Sequence, residues 1–223
     1  MCIRDRSTSC SKPAGVILAG GRSTRMGGSS KALMTLDGKP LLQHVIDRVS
    51  PQTEALFLSV ESENCDYDRF GLEQLPDPVP GHSGPLGGLL AALRQLDQNA
   101  GAEWLLLVPC DAPFVPKDLG KRLLERAHAV GSDGAVVIAG GELQPAFSLW
   151  NRSIMRELER AVLDDGMAGF KQFLRLRPLA ELHWKGNDPE TGTPPFFNIN
   201  DPDTLGRARQ FFTDPAENEK CSV

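Results

Sequence analysis

No stretch of the 223 residues approaches the roughly 20 consecutive apolar positions that a membrane-spanning helix requires. Residues 1–12, from Met1 to Lys12, are polar and lack the apolar centre of a secretory signal, so they are expected to be a disordered or non-native extension. The five cysteines are odd in number, scattered, and never paired as Cys-x-x-Cys, which argues against a zinc site or a disulfide framework. Four histidines, His44, His82, His128 and His183, show no ligand spacing. An excess of positive charge is also missing: 24 basic residues stand against 29 acidic ones, a formal net charge of −5. That balance excludes general attraction to nucleic acid or to an anionic membrane. A local basic pocket for a small anion stays open, since it needs only two or three cations. A cytoplasmic chain with reduced thiols is the expectation.

What is present is ordinary globular composition, 40% hydrophobic and 24% charged. With neither repeats nor a long linker, one domain over residues 13–213 is expected, followed by a polar tail, residues 214–223. Short apolar runs at Ala14–Ala19, Ala55–Val60 and Trp104–Val108 read as buried strands. Gly134–Ala139 and Gln144–Leu149, joined by Gly-Gly, are two more, and Glu181–Trp184 and Pro195–Ile199 read as short strands. Helical spacing marks Pro40–Val49, Pro85–Leu96, Lys117–Val130, Asn151–Leu163, Gly169–Leu176 and Asp201–Phe212, while Leu75–Gly84 reads as a loop. Strands alternating with helices imply an α/β chain with a mostly parallel sheet covered on both faces.

The segment from Leu18 to Lys31 carries the strongest chemical signal. It follows the first strand directly, and ligands of open α/β sheets bind beyond the carboxyl ends of strands. Its glycines leave backbone N–H groups free to turn toward phosphate oxygens. Arg25 and Lys31 add two positive charges, one a planar fork and one a point charge. The spacing matches neither a P-loop nor G-x-G-x-x-G, which disfavours a dinucleotide oxidoreductase. Read on composition alone, the same segment is equally a basic surface loop.

Four blocks in order resemble the molybdenum cofactor guanylyltransferases, the MobA-like branch of the nucleotidyltransferase superfamily. They are Leu18-Ala-Gly-Gly with Arg25-Met-Gly-Gly and Lys31; Leu75-Pro-Asp77 with Gly84-Pro-Leu-Gly-Gly88; Pro109-Cys-Asp111-Ala-Pro-Phe; and Phe197-Asn198-Ile-Asn200-Asp-Pro. The resemblance implies a three-layer Rossmann-like nucleotidyltransferase fold. It also implies transfer of GMP from GTP to the phosphate of molybdopterin or Mo-molybdopterin, with Mg²⁺ as cofactor. Molybdoenzymes or their chaperones would receive the product, without nucleic acid or membrane partners.

By the same resemblance Leu18, Ala19, Gly20, Gly21, Lys31, Asp77, Gly84 and Asp111 hold the nucleotide. Asp111 carries the metal and acts in catalysis with Arg25 and Lys31, and Asn198 and Asn200 contact the pterin. From the residues alone, Asp111 and Asp77 also read as turn aspartates, Gly84-Pro85 as an ordinary helix start, and the asparagines as turn residues or as neighbours on one strand face. Two departures stand out. Ser30 occupies the place before the lysine where many relatives carry Asp, implying a looser hold on Lys31. Glu61-Ser62-Glu63-Asn64 follows the second strand where many carry Asn. Leu-Ala-Gly-Gly, not Leu-Ala-Ala-Gly, separates the guanylyl group from the cytidylyl group that uses CTP. A catalytically idle nucleotide-binding module would be expected to have lost Arg25, Lys31 or Asp111.

Overall fold

The computed structural model describes residues 12–20, 30–79, 84–98, 101–188 and 192–213. Its strands are β1 (Ala14–Leu18), β2 (Thr35–Leu36), β3 (Lys39–Pro40), β4 (Leu56–Val60), β5 (Glu73–Pro76), β6 (Trp104–Pro109), β7 (Gly134–Ala139), β8 (Glu142–Asn151) and β9 (Ala180–Trp184). The helices are α1 (Leu41–Val49), α2 (Pro85–Gln98), α3 (Leu119–Val130), α4 (Met155–Leu163), α5 (Phe170–Leu176) and α6 (Pro202–Thr213). Among the described residues, seven strands form one sheet in the order β5-β4-β1-β6-β8-β7-β9, parallel except for β8. The expected mostly parallel, three-layer α/β architecture is what the chain adopts.

The apolar runs explain both cores. Along β6, Leu105 and Leu107 point to one face of the sheet, and Leu106 and Val108 to the other. The first face is covered by α2, α4 and α5, through residues such as Leu89, Leu158 and Phe173. The second is covered by α1 and α3, through Leu42, Val45, Leu123 and Leu124. Burial on both sides is why such strands read as continuous apolar runs and not as alternation. A third, smaller cluster ties Leu36, Leu41 and Phe114 to Ile199 and Ala208, fastening α6 beneath the β2–β3 hairpin.

Local chemistry sets several boundaries. The β7–β8 hairpin turns through Gly140 and Gly141, with φ of 58° and 78°, the paired left-handed conformation that two-residue hairpin loops demand. Helix α4 begins at Met155 and not at Asn151, because β8 runs on to Asn151, whose side chain accepts from Ser153 N at 2.9 Å and starts a 3₁₀ turn. Two expectations need correction. Glu73–Pro76, half of it assigned to a loop, is a strand paired to β4. Only Leu75 among its residues is buried, so it leaves no apolar run to read. Conversely, Pro195–Ile199 is not a strand. Pro194 and Pro195 have no N–H to give a ladder, and the segment is fastened by Ile199 N donating to Asp111 O at 2.9 Å.

Trp150 fills the α5 side of the core against Phe170 and Phe173, and its indole N–H donates to Ser148 Oγ at 2.7 Å. Ser148→Ala strands that buried donor and is expected to cost about 1–3 kcal/mol. Leu107→Ala, which opens a cavity, is expected to cost about 2–5 kcal/mol. Denaturant midpoints at unchanged slope check both.

Candidate active site

Parallel pairing places the carboxyl ends of β5, β4, β1 and β6 side by side on one edge. Backbone hydrogen bonds continue past the strands: Cys110 N donates to Leu18 O at 3.0 Å, Ala19 N to Ser59 O at 2.9 Å, and Asp77 N to Val60 O at 2.9 Å. The sequence blocks around Leu18, Asp77 and Asp111 therefore meet at one place, and the bond from Ile199 to Asp111 adds the fourth.

Lys31 begins a 3₁₀ turn, Lys31–Leu33, at the far end of the glycine-rich loop. Its Nζ donates to Asn200 Oδ1 at 2.7 Å and stands 3.6 Å from Asp111 Oδ2. One cation thus joins three of the four blocks. Asp111 is mostly buried, and burial holds its carboxyl above the usual range, while the Lys31 charge pulls the other way. Burial also pushes the neighbouring Cys110 thiol far up, assisted by the Asp111 charge, so Cys110 is an inert packing group.

On the α2 side the same edge opens into a cavity of about 160 Å³ lined by Leu18, Gly20, Ser59, Asp77 and Gly84, with Glu61 and Gly88 at its border. Its shape depends on missing side chains. A Cβ on Gly87 would lie 2.5 Å from Asp77 Oδ1, and one on Gly88 would lie 2.8 Å from Leu18 and closer still to Ser59. The first turn of α2 can therefore sit directly on the strand ends. The positive end of the helix faces the Asp77 carboxylate there. Gly84 is glycine for a different reason: a Cβ would strike Ala168, which packs over it. Asp77 both lines the cavity and closes a turn, accepting from Val79 N at 3.1 Å.

The asparagines do not share a strand face, as that segment is irregular. Asn200 is exposed and bound to Lys31, and its own N–H donates to Thr204 Oγ1 at 2.9 Å. Asn198 is different: its Oδ1 is buried and has no hydrogen-bond partner among the described residues. Such an unpaired buried acceptor is uncommon in a folded chain. Arg25 and Gly21 lie outside the described residues. Sequence reasoning missed Ser59 as a cavity residue, and no motif marks it; only its place at the end of β4 does.

Of the histidines, His82 lies outside the described residues and the other three have structural partners. His44 bonds Leu36 O at 2.8 Å, His128 packs edge-on to Trp104, and His183 lies 3.3 Å from Glu181. Among the described residues no group of three or more His, Cys, Asp and Glu could enclose a metal. A lone carboxylate still suits Mg²⁺, which keeps waters and shares substrate phosphates instead of entering an all-protein cage. No described helix is long and apolar enough to cross a membrane.

Comparison with known proteins bears on the family and the fold. Residues 15–182 match the model of the MobA-like NTP transferase domain. A molybdenum cofactor guanylyltransferase of Rhodopseudomonas palustris (strain BisB5) is 37% identical over 196 residues, 87% of this chain and 91% of that protein. One from Rhizobium meliloti is 37% identical over 198 residues, 88% of this chain and 90% of that protein. The crystal structure of molybdopterin-guanine dinucleotide biosynthesis protein A from Archaeoglobus fulgidus superposes with a TM-score of 0.68 at 25% identity, covering 90% of this chain and 98% of that one.

A carboxyl group whose folded pKa is raised keeps its proton to higher pH in the folded state than in the unfolded chain. Its ionisation therefore removes stability as pH rises from the ordinary value of 3.8 through the raised one. Asp111→Asn is expected to raise the thermal midpoint at neutral pH and to give no gain below the ordinary carboxylate range. Calorimetry across that window checks the sign.

Proposed function

This chain belongs to the MobA-like NTP transferase family, and from that membership we propose that it transfers GMP from GTP to the phosphate of molybdopterin or Mo-molybdopterin. The observation that carries the reading is Lys31, held 2.7 Å from Asn200 and 3.6 Å from Asp111, on the same strand edge that opens into the cavity lined by Leu18, Ser59 and Asp77. A cation at that junction lies where a triphosphate and an acceptor phosphate would meet.

In the reaction, an oxygen of the acceptor's terminal phosphate forms a bond to the α-phosphorus of GTP. The bond from that phosphorus to the oxygen bridging to the β-phosphate breaks, and pyrophosphate leaves. The phosphate nucleophile is largely ionised near neutral pH, so no strong general base is needed. Alignment and charge neutralisation supply the rate. The nucleoside end of GTP is assigned to the cavity lined by Leu18, Gly20, Ser59, Asp77 and Gly84. Lys31, with Arg25 of the same loop, takes up negative charge on the triphosphate and on the departing pyrophosphate. Asn198 offers its unpaired carbonyl to an N–H of the pterin. Asp111 would hold Mg²⁺, which when bound would supply positive charge against the triphosphate and make the α-phosphorus more electrophilic. The chain's net charge of −5 with a few local cations suits a small anionic substrate and not a nucleic acid, and molybdoenzymes or their chaperones would take the product in the cytoplasm.

Thermal shift with Mg²⁺ and each of GTP, CTP, ATP and UTP tests the nucleotide assignment. A cognate nucleotide at about 100 times its Kd stabilises by about 2.7 kcal/mol, which is about 5–10 °C in a chain of this size. A GTP-selective shift is expected; a CTP-selective one transfers the reading to cytidylyl transfer. Lys31→Ala and Asp111→Ala are each expected to cut pyrophosphate release at least about 100-fold, on the scale of a lost transition-state donor. Unchanged turnover in folded Asp111→Ala overturns the metal assignment.

A further inference from the structure

Ser30 occupies the N-cap position of the Lys31–Leu33 turn, where a serine side chain ordinarily accepts from an amide of the first turn. It makes no such bond. Its Oγ instead shares a hydrogen bond of 2.6 Å with the hydroxyl of Tyr67, 37 residues away. The residue in front of the site lysine is therefore fastened across the fold, and its hydroxyl is not used for local capping.

Tyr67 is well placed to act as a fixed post. It is the one tyrosine of the chain, its ring is buried, and it belongs to the same apolar cluster as Cys110 and Ala32, the neighbours of Asp111 and Lys31. The turn that presents it, Cys65–Phe70, is clamped at both levels. Asn64 caps it by accepting from Asp66 N at 2.9 Å, and Tyr67 N donates to Asn64 O at 3.0 Å. Gln74 on β5 then grips Asn64 from both sides: Gln74 Nε2 donates to Asn64 O at 3.0 Å, and Asn64 N donates to Gln74 Oε1 at 3.0 Å. A second bond from Gln74 Nε2 reaches Asp68 Oδ1 at 2.9 Å. Such a turn can hold a hydroxyl at a defined point.

The geometry points to Tyr67 as a positioning residue for Lys31, acting through Ser30 and resting on the nucleotide chemistry proposed above. On the other side of the lysine, Ala32 is fully buried. Main-chain bonds from Leu33 N to Ser30 O at 3.0 Å and from Met34 N to Lys31 O at 3.1 Å close the turn. With Ser30 tied down and Ala32 packed, only the flexible stem of Lys31 remains free to move its ammonium between Asp111, Asn200 and a phosphate. Ser30, where the family resemblance implied an acidic residue, is thus fastened through its hydroxyl to Tyr67.

Two substitutions that keep the packing test this. Tyr67→Phe and Ser30→Ala each remove one partner, and each is expected to lower kcat/KM for Mg²⁺-GTP by about three- to tenfold, the scale of one net hydrogen bond. Because the two residues act as one unit, the double variant should lose no more than either single one. Ser30→Thr, which keeps the hydroxyl, should retain wild-type kinetics. The lone tyrosine adds a readout independent of turnover. Burial raises the Tyr67 pKa and the Ser30 bond opposes that rise, so tyrosinate absorbance should appear at higher pH in Ser30→Ala. Additive kinetic losses, or an unchanged kcat/KM in Tyr67→Phe beside an active wild type, overturn this proposal alone. A wild type that binds no nucleotide overturns the proposed function and this proposal with it.

Discussion

Strand β1 is paired in parallel on both sides, to β4 as far as Leu18↔Ser59 and to β6 as far as Leu18↔Pro109. That shared register at Leu18 is the constraint on which the rest of the molecule depends. Because the strands run the same way and stop nearly level, the residues after them, Ala19, Glu61 and Cys110–Asp111, emerge side by side. A slip of one residue in either pairing would exchange the two apolar faces of the strand and move every loop along the edge. The stability of the double-sided core therefore sets the geometry of the site, through backbone bonds that tolerate little adjustment.

On that rigid edge the polar groups are arranged against their own stability. Asp111 is held as a carboxylate in a largely buried position, an unfavourable place for a charge, with a lysine as its nearby compensation. Asn198 keeps a buried carbonyl without a donor among the described residues. Neither arrangement helps folding, and on the proposed reading both serve bound substrate groups. Such local costs are carried by the two apolar cores, and their concentration at one edge is itself a mark of a functional site.

The glycines of Gly84-Pro-Leu-Gly-Gly88 show how packing and recognition overlap. Gly87 and Gly88 leave room for Asp77 and Ser59 beneath the first turn of α2, whereas Gly84 makes room for Ala168. A motif that looks like one nucleotide-binding string therefore combines residues selected by the cavity with one selected by a neighbouring loop.

Much of this was determined by the sequence alone. Apolar runs long enough to be buried on both faces specify β1, β4 and β6, and 3.6-residue spacing specifies α1, α2 and α3, because those signals arise from local periodicity. The loop ending in Lys31, and Asp111 at a strand end, follow from the same order, whereas Asp77 read only as a loop residue. What only tertiary structure decided was set by contacts between distant segments. β5 has one buried residue, and its pairing with β4 and not its composition makes it a strand. Pro195–Ile199 has strand-like residues, but with Pro194 and Pro195 at its start and a bond to Asp111 it is a strap. The meeting of Lys31 with Asn200, 169 residues apart, and of Ser30 with Tyr67, 37 apart, has no local signature. Hydrogen bonds between side chains depend on where the packed sheet delivers each residue, and periodicity along the chain carries no information about that.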